Sequence, residues 1–243
     1  MIPRVHSAHN WWRDINTRMI RGTLDFLAKR DLVTANAVGL DIGAGDGALS
    51  RELESRFACR VHRLDILQHN EHRRPCLLAS AEALPFRDQS VDFACLRSVL
   101  HHLTHARAAL EETRRVLRPN GWVLFVEPRV PCWLQSPWTA INALRGQEES
   151  AVTFRSFADT RAIVEGSGLR MVYRRETSLR YPDLALWTWG VSDQVRLEIA
   201  QRILELPDRA RRYLSVQHSG EAGISFCWKV DEAVAVRRED GHR

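Results

Sequence analysis

Apolar positions along this chain fall into two rhythms. Short, mostly apolar runs at Val38–Ile42, Val91–Leu96 and Trp122–Val126 have the length and lack of strict alternation of strands buried on both faces. Between and around them the spacing turns helical. Over residues 11–30, Trp12, Ile15, Met19, Ile20, Leu24 and Leu27 tend to one side of an amphipathic helix. A helix follows the first run and reaches about Phe57. Residues 60–67 read as a second strand ending near Asp65, and residues 76–86 as a short strand with a Pro-bounded loop. Thr104 is expected to cap a helix carrying Ala108, Leu110, Val116 and Leu117, stopped at Pro119-Asn120-Gly121. Further on come a helix over Ser156–Gly168, a strand over Leu169–Glu176, a helix over Gln194–Leu206, a last strand over Ile224–Val230 and a polar tail. Strands alternating with helices predict an α/β chain.

A length of 243 residues suits one such domain, 1–243, with additions. A helical cover occupies 1–35. Segments 129–155 and 181–222 read as inserts on the substrate side, a lid or a homodimer contact. The net charge is +5, but Lys29 and Lys229 are the only lysines and the arginines are scattered among acids, so no nucleic-acid partner is expected. The five cysteines are widely spaced with no C-x-x-C, which argues against a disulfide framework or a zinc site. No stretch approaches 18 apolar residues and the N-terminus lacks an apolar leader core, so no membrane span and a cytoplasmic setting are expected.

The chemistry gathers at residues 38–47, Val-Gly-Leu-Asp-Ile-Gly-Ala-Gly-Asp-Gly. This is strand, glycine turn and helix start, where a ligand can approach backbone that no Cβ shields. Gly43, Gly45 and Ala48 satisfy the loose dinucleotide fingerprint. Asp41 and Asp46, however, would repel a pyrophosphate, whereas they suit S-adenosylmethionine, which carries a sulfonium and an ammonium. Asp65, about 20 residues past the turn at a strand end, is placed to accept hydrogen bonds from ribose hydroxyls.

The order and spacing of several motifs extend this. They are Leu40–Gly47, Asp65, Ala81–Phe86, Val91–Ala94, Leu100–Leu103 and Arg115–Trp122. Together they resemble the class I S-adenosylmethionine-dependent methyltransferases, in the branch that includes ubiquinone and menaquinone C-methyltransferases and many natural-product methyltransferases. The resemblance covers residues 38–128. It implies a Rossmann-like methyltransferase fold, a doubly wound, mostly parallel seven-stranded sheet with helical inserts. It also implies S-adenosylmethionine as cofactor and S-adenosylhomocysteine as product. Gly43 and Gly45 would pass the methionine part, with Asp41 near its ammonium. Asp65 would hold the ribose, Ile66 would pack on the adenine, and Ala81 and Glu82 would fall in the adenine-edge loop. Ser80 stands where this branch commonly has Asp. Arg97 and Ser98 would offer backbone groups to the methionine part, and His102 would face the cofactor. In the family, strands six and seven form a close hairpin; here residues 181–220 intervene.

Methyl transfer from a sulfonium needs alignment and desolvation, with a base only where the acceptor must lose a proton. His102 and His101 are the first candidates for that base and Glu127 is another, although a strand-end acid also serves by accepting backbone N–H groups. Trp133, Trp138, Trp187 and Trp189 suggest a hydrophobic small-molecule acceptor, O- or C-methylated. Arg174, Arg175 and Arg180 would bind an acidic group on it or form a solvated strand face. His101 and His105 have metal-ligand spacing without a third ligand, so no metal is expected. Two other functions remain: an RNA or protein methyltransferase, against which the absence of an Asn-Pro-Pro-Tyr-type motif counts for base N-methylation, and a non-catalytic cofactor-binding module.

Overall fold

The structure, a computed structural model, describes residues 5–67, 75–145, 152–188, 190–219 and 223–238, with side chains from Ile15 onward except Ser219. Helix α1 (Val5–Ala28) leads into β1 (Val38–Ile42), α2 (Ala48–Phe57), β2 (Arg60–Asp65), the two-residue β3 (Leu77–Leu78) and β4 (Val91–Arg97). A single 3-10 turn (Leu100–His102) precedes α3 (Ala106–Val116) and β5 (Leu117–Pro128). The remainder is α4 (Cys132–Ala143), α5 (Phe157–Gly166), β6 (Leu169–Tyr181), α6 (Leu184–Trp187), α7 (Asp193–Leu204), α8 (Asp208–Tyr213), β7 (Gln217–Ser219) and β8 (Gly223–Arg237).

The sheet order is β3-β2-β1-β4-β5-β8-β6. β1 to β5 are parallel, and β8 runs antiparallel between β5 and β6. The expected seven-stranded path is therefore present, and the short β7 adds an eighth strand against β8. The central strands are apolar on both faces because both are covered. On one face Leu40, Leu96 and Val123 pack with Leu110 and Val116 of α3 and Val164 of α5. On the other, Phe93, Cys95 and Leu124 pack with Leu24 and Leu27 of α1 and Leu53 of α2. A third core, Trp138, Leu184, Trp187, Ile199, Ile203 and Phe226, joins the inserts to the distal ends of β6 and β8.

Several boundaries differ from the sequence reading; β6, for one, runs past Glu176 to Tyr181. α3 starts without Thr104 as cap: His105 precedes its first turn, and its N–H donates to Glu82 Oε1 at 3.3 Å. Leu117 is already extended, with β5 beginning there. β8 does not stop at Val230 but continues through Asp231 and Glu232 to Arg237. The two acids look like a strand end in the sequence. On the neighbouring strand Arg174 pairs with Asp231 and Arg175 with Glu232, so each charge is carried into the sheet with its partner. Arg180 reaches Gln217 and Ser225, so all three arginines have partners within the fold.

Candidate functional site

The glycine turn lies where β1 and β2 end. The Gly43 and Ala44 N–H groups donate to Leu64 O at 2.8 and 3.0 Å, which stitches the turn to β2. Gly43 has φ 67° and a Cβ there would lie 2.5 Å from Val99 Cγ2, so this glycine is required by packing and by backbone. At Gly45, φ 53°, a Cβ would meet nothing within 4 Å: the backbone faces open space. Asp65 Oδ2 accepts from the Gly45 N–H at 2.9 Å and Oδ1 from the Leu67 N–H at 3.0 Å. These bonds orient the Asp65 carboxylate beside the glycine turn. Beside it Ile66 is 72% exposed and Leu78 60% exposed, an apolar surface next to a polar anchor.

Asp41 is buried near the end of β1. It accepts from Ser50 Oγ, and burial pushes its carboxyl up to about 6, while the Ser50 hydrogen bond and the charges of Arg97 and Arg63 pull the other way. Arg97 donates to Asn16 Oδ1 of α1, and burial lowers its pKa. The Ser98 N–H is engaged by Val126 O at 2.7 Å, so that amide is committed within the sheet. Ser80 Oγ accepts from the Glu82 N–H at 3.1 Å and shapes its loop, Ala81 is buried, and the Glu82 carboxylate serves the start of α3.

At the ends of β4 and β5 a second arrangement forms. Glu127 Oε1 accepts from the Val99 and Leu100 N–H groups at 2.8 and 2.9 Å, and Oε2 lies 2.7 Å from His101 Nδ1. Glu127 thus holds the 3-10 turn and one imidazole. Thr153 N donates to His101 O at 2.7 Å and Phe154 stacks on the His101 ring, centroids 5.6 Å apart, so the chain after α4 clamps the histidine. His102 is exposed on the same turn. Desolvation and the neighbouring His101 push it down to about 4, against the pull of Glu127, so it is neutral at physiological pH.

Both histidines line a cleft of about 140 Å³ whose walls include Trp138, Trp187, Trp228 and Phe154. Of the tryptophans expected there, Trp138 and Trp187 take part. Trp133 packs edge-on against Tyr213 beneath Arg209, away from the cleft. Trp189 and the side chains of Trp11 and Trp12 lie outside the described residues. Asn142, Arg145, Phe154 and Trp228 line the cleft without having been singled out from sequence. The alternation of Phe226, Trp228 and Val230 along β8 was the signal available for Trp228. Among the described residues no group of three or more potential metal ligands gathers, and no helix is long and apolar enough to cross a membrane.

Residues 40–125 match the family described as methyltransferase domain. The chain carries a class I S-adenosylmethionine-dependent methyltransferase domain. It is similar to the ubiquinone/menaquinone biosynthesis C-methyltransferase UbiE of Paraburkholderia phymatum, 36% identical over 102 residues, 36% of this chain and 42% of that protein. It is also similar to the glycine/sarcosine/dimethylglycine N-methyltransferase of Actinopolyspora halophila, 30% identical over 128 residues, 47% of this chain and 22% of that protein. In fold it resembles the YcgJ protein of Bacillus subtilis, with a TM-score of 0.74 and 23% identity, over 90% of this chain and 99% of that one. The chain spans 22% to 64% of the length of the first curated relatives it matches. The methyltransferase cofactor fits this turn: the Gly45 backbone is open, Asp65 is oriented beside it, and Ile66 offers an exposed apolar face.

Proposed function

We propose that this protein is a methyltransferase that methylates a hydrophobic small molecule at an oxygen or carbon atom, with His101 as the base. The observation that carries this reading is the Glu127–His101 pair at 2.7 Å on the wall of an aromatic cleft, at the end of the strands that carry the glycine turn. When bound, S-adenosylmethionine supplies an electrophilic methyl carbon on a sulfonium. Asp65 and Ile66 would hold the nucleoside part of that cofactor, the Gly43–Gly45 backbone the methionine part, and Asp41 its ammonium.

The Glu127 carboxylate fixes the imidazole by taking its Nδ1–H, so Nε2 is the nitrogen left to accept a proton from the acceptor. Three tryptophans and Phe154 exclude water from the reacting group. His102, exposed and pushed down to about 4, stays neutral and adds no positive charge at the cleft mouth. The inserts 129–155 and 181–222 serve as acceptor-side walls, and the N-terminal segment 1–35 as a cover. The five free cysteines accord with a cytoplasmic setting.

His101→Ala tests the reading. Turnover measured with labelled cofactor should fall about 10²–10⁴-fold while the affinity for S-adenosylhomocysteine stays unchanged. Undiminished turnover would remove His101 from the chemistry.

A further inference from the structure

Ser98 follows β4 in a strained conformation. Its φ is 57°, in the left-handed region that a residue with a Cβ adopts at a cost. Two bonds hold it there. The Ser98 N–H donates to Val126 O at 2.7 Å, and the next N–H, of Val99, donates to Glu127 Oε1 at 2.8 Å. Glycine takes the same φ freely, so the strain comes from carrying a side chain. That side chain is exposed on the wall of the cleft that holds His101, and its hydroxyl has no partner among the described residues.

The glycine turn beside it is poorly made for an anion. The Gly43 and Ala44 N–H groups donate to Leu64 O, Gly45 N–H to Asp65 Oδ2, Gly47 N–H to Ala44 O at 2.8 Å and Ala48 N–H to Asp46 Oδ1 at 3.0 Å. These amides hold the turn itself, and the carboxylates of Asp41 and Asp46 repel a negative charge. The methionine part of a methyl donor carries an ammonium, which Asp41 suits, and a carboxylate, which the turn does not serve.

Donors for that carboxylate stand one strand over. β1 and β4 are parallel neighbours with Ile42 opposite Leu96, so Arg97 and Ser98 follow beside Gly43. Arg97 gives one hydrogen bond to Asn16 Oδ1, and Asp41, Asp46 and Glu232 act on its charge from a distance. A guanidinium carries further donors in a fixed fork that matches a carboxylate.

We infer that Arg97 and Ser98 form the subsite for the carboxylate of the methyl donor's methionine part, the guanidinium supplying charge and the Ser98 hydroxyl a hydrogen bond. The inference rests on the methyltransferase reading and assigns to side chains what the resemblance implies for backbone groups. A glycine at position 98 would relieve the strain and lose that bond.

The test is calorimetry on the full chain with S-adenosylhomocysteine and with its decarboxylated analogue, which keeps the amine. The parent should bind S-adenosylhomocysteine about tenfold or more tighter than the analogue. Ser98→Ala should lose about tenfold in affinity for S-adenosylhomocysteine and keep its affinity for the analogue. Arg97→Gln should remove at least as much of the preference. Ser98→Gly should match Ser98→Ala in binding, yet melt at a higher temperature because its backbone is relaxed. Equal binding of the two ligands by the parent overturns the inference and leaves the methyltransferase reading standing. So does a preference that survives in Ser98→Ala, or a Ser98→Gly protein that binds S-adenosylhomocysteine as tightly as the parent. Failure of the parent to bind either ligand defeats that reading as well.

Discussion

Residues 38–128 and residues 129–238 solve different problems by different means. In the first region the functional groups are brought together by a few local crossings. Asp65 reaches Gly45 across 20 residues, and Glu127 reaches Val99 across 28. Each contact lies where adjacent parallel strands end, so the βαβ geometry almost dictates it. In the second region the cleft walls come from α4, the segment after it, α6 and β8, and the strands that organise them, β6 and β8, pair across the long detour of residues 182–222. A local, repeated geometry suits a ligand common to a superfamily. A wall assembled from distant segments suits a ligand that differs from member to member, and the C- and N-methyltransferases among this chain's relatives illustrate that spread.

If the division holds, damage to the two regions separates in measurement. The largest effect is expected where they meet. Glu127→Ala leaves the Val99 and Leu100 N–H groups without their acceptor, at about 1–3 kcal/mol each, and frees the His101 ring. Turnover should drop about 10²–10⁴-fold and denaturant melts should show the stability loss, while Glu127→Gln should retain part of both. A Glu127→Ala protein with full activity would mean that the dyad is ornamental.

Next in size is Gly43→Val, in the first region alone. The new side chain meets Val99 and forces a left-handed residue onto a β-branched side chain, a strain of about 1–3 kcal/mol. Cofactor affinity by calorimetry should fall roughly 10–100-fold with the acceptor preferences intact. Normal affinity would show that the turn does not approach the ligand.

The smallest effect is a pH dependence. Asp41, raised from 3.8 to about 6, attracts a ligand's ammonium group only when ionised. Affinity for S-adenosylhomocysteine should therefore level off above pH 6 and weaken below it, by up to about tenfold per pH unit, and Asp41→Asn should erase the trend. In the unliganded protein the sign reverses. A carboxyl whose folded pKa is raised contributes stability that is full below pH 3.8 and lost as the pH rises through about 6, so Asp41→Asn should stabilise the free protein at neutral pH. A pH-independent affinity in the parent protein would take Asp41 out of the site.

The same division governs what could be read from the residues alone. The strand-turn-helix at Asp41–Ala48, the acid at Asp65 and the α/β alternation announce themselves through period and composition, because both are local properties of the chain. Glu127 stands in the sequence as a strand-end acid with two available roles, and the sequence holds no sign of the Val99, Leu100 and His101 groups gathered on it. Trp133 and Trp138 are five apart on one helix and look equivalent. The first faces Tyr213 and Arg209 and the second the cleft, a difference set by what packs against α4. Trp228 passed unnoticed because its cleft neighbours come from other segments. β8 seemed to end at Val230 because the arginines that accompany the two acids after it sit some 57 residues earlier, on β6.

The account stands or falls on whether the glycine turn and Asp65 bind the nucleoside of a methyl donor. Calorimetric titration of the full chain with S-adenosylhomocysteine, alongside Asp65→Ala, measures this directly. Micromolar binding is predicted, weakened by about 1–3 kcal/mol in Asp65→Ala through loss of hydrogen bonds to a charged acceptor. A folded protein that binds no S-adenosylhomocysteine, or an Asp65→Ala variant that binds it as tightly as the parent, would contradict it.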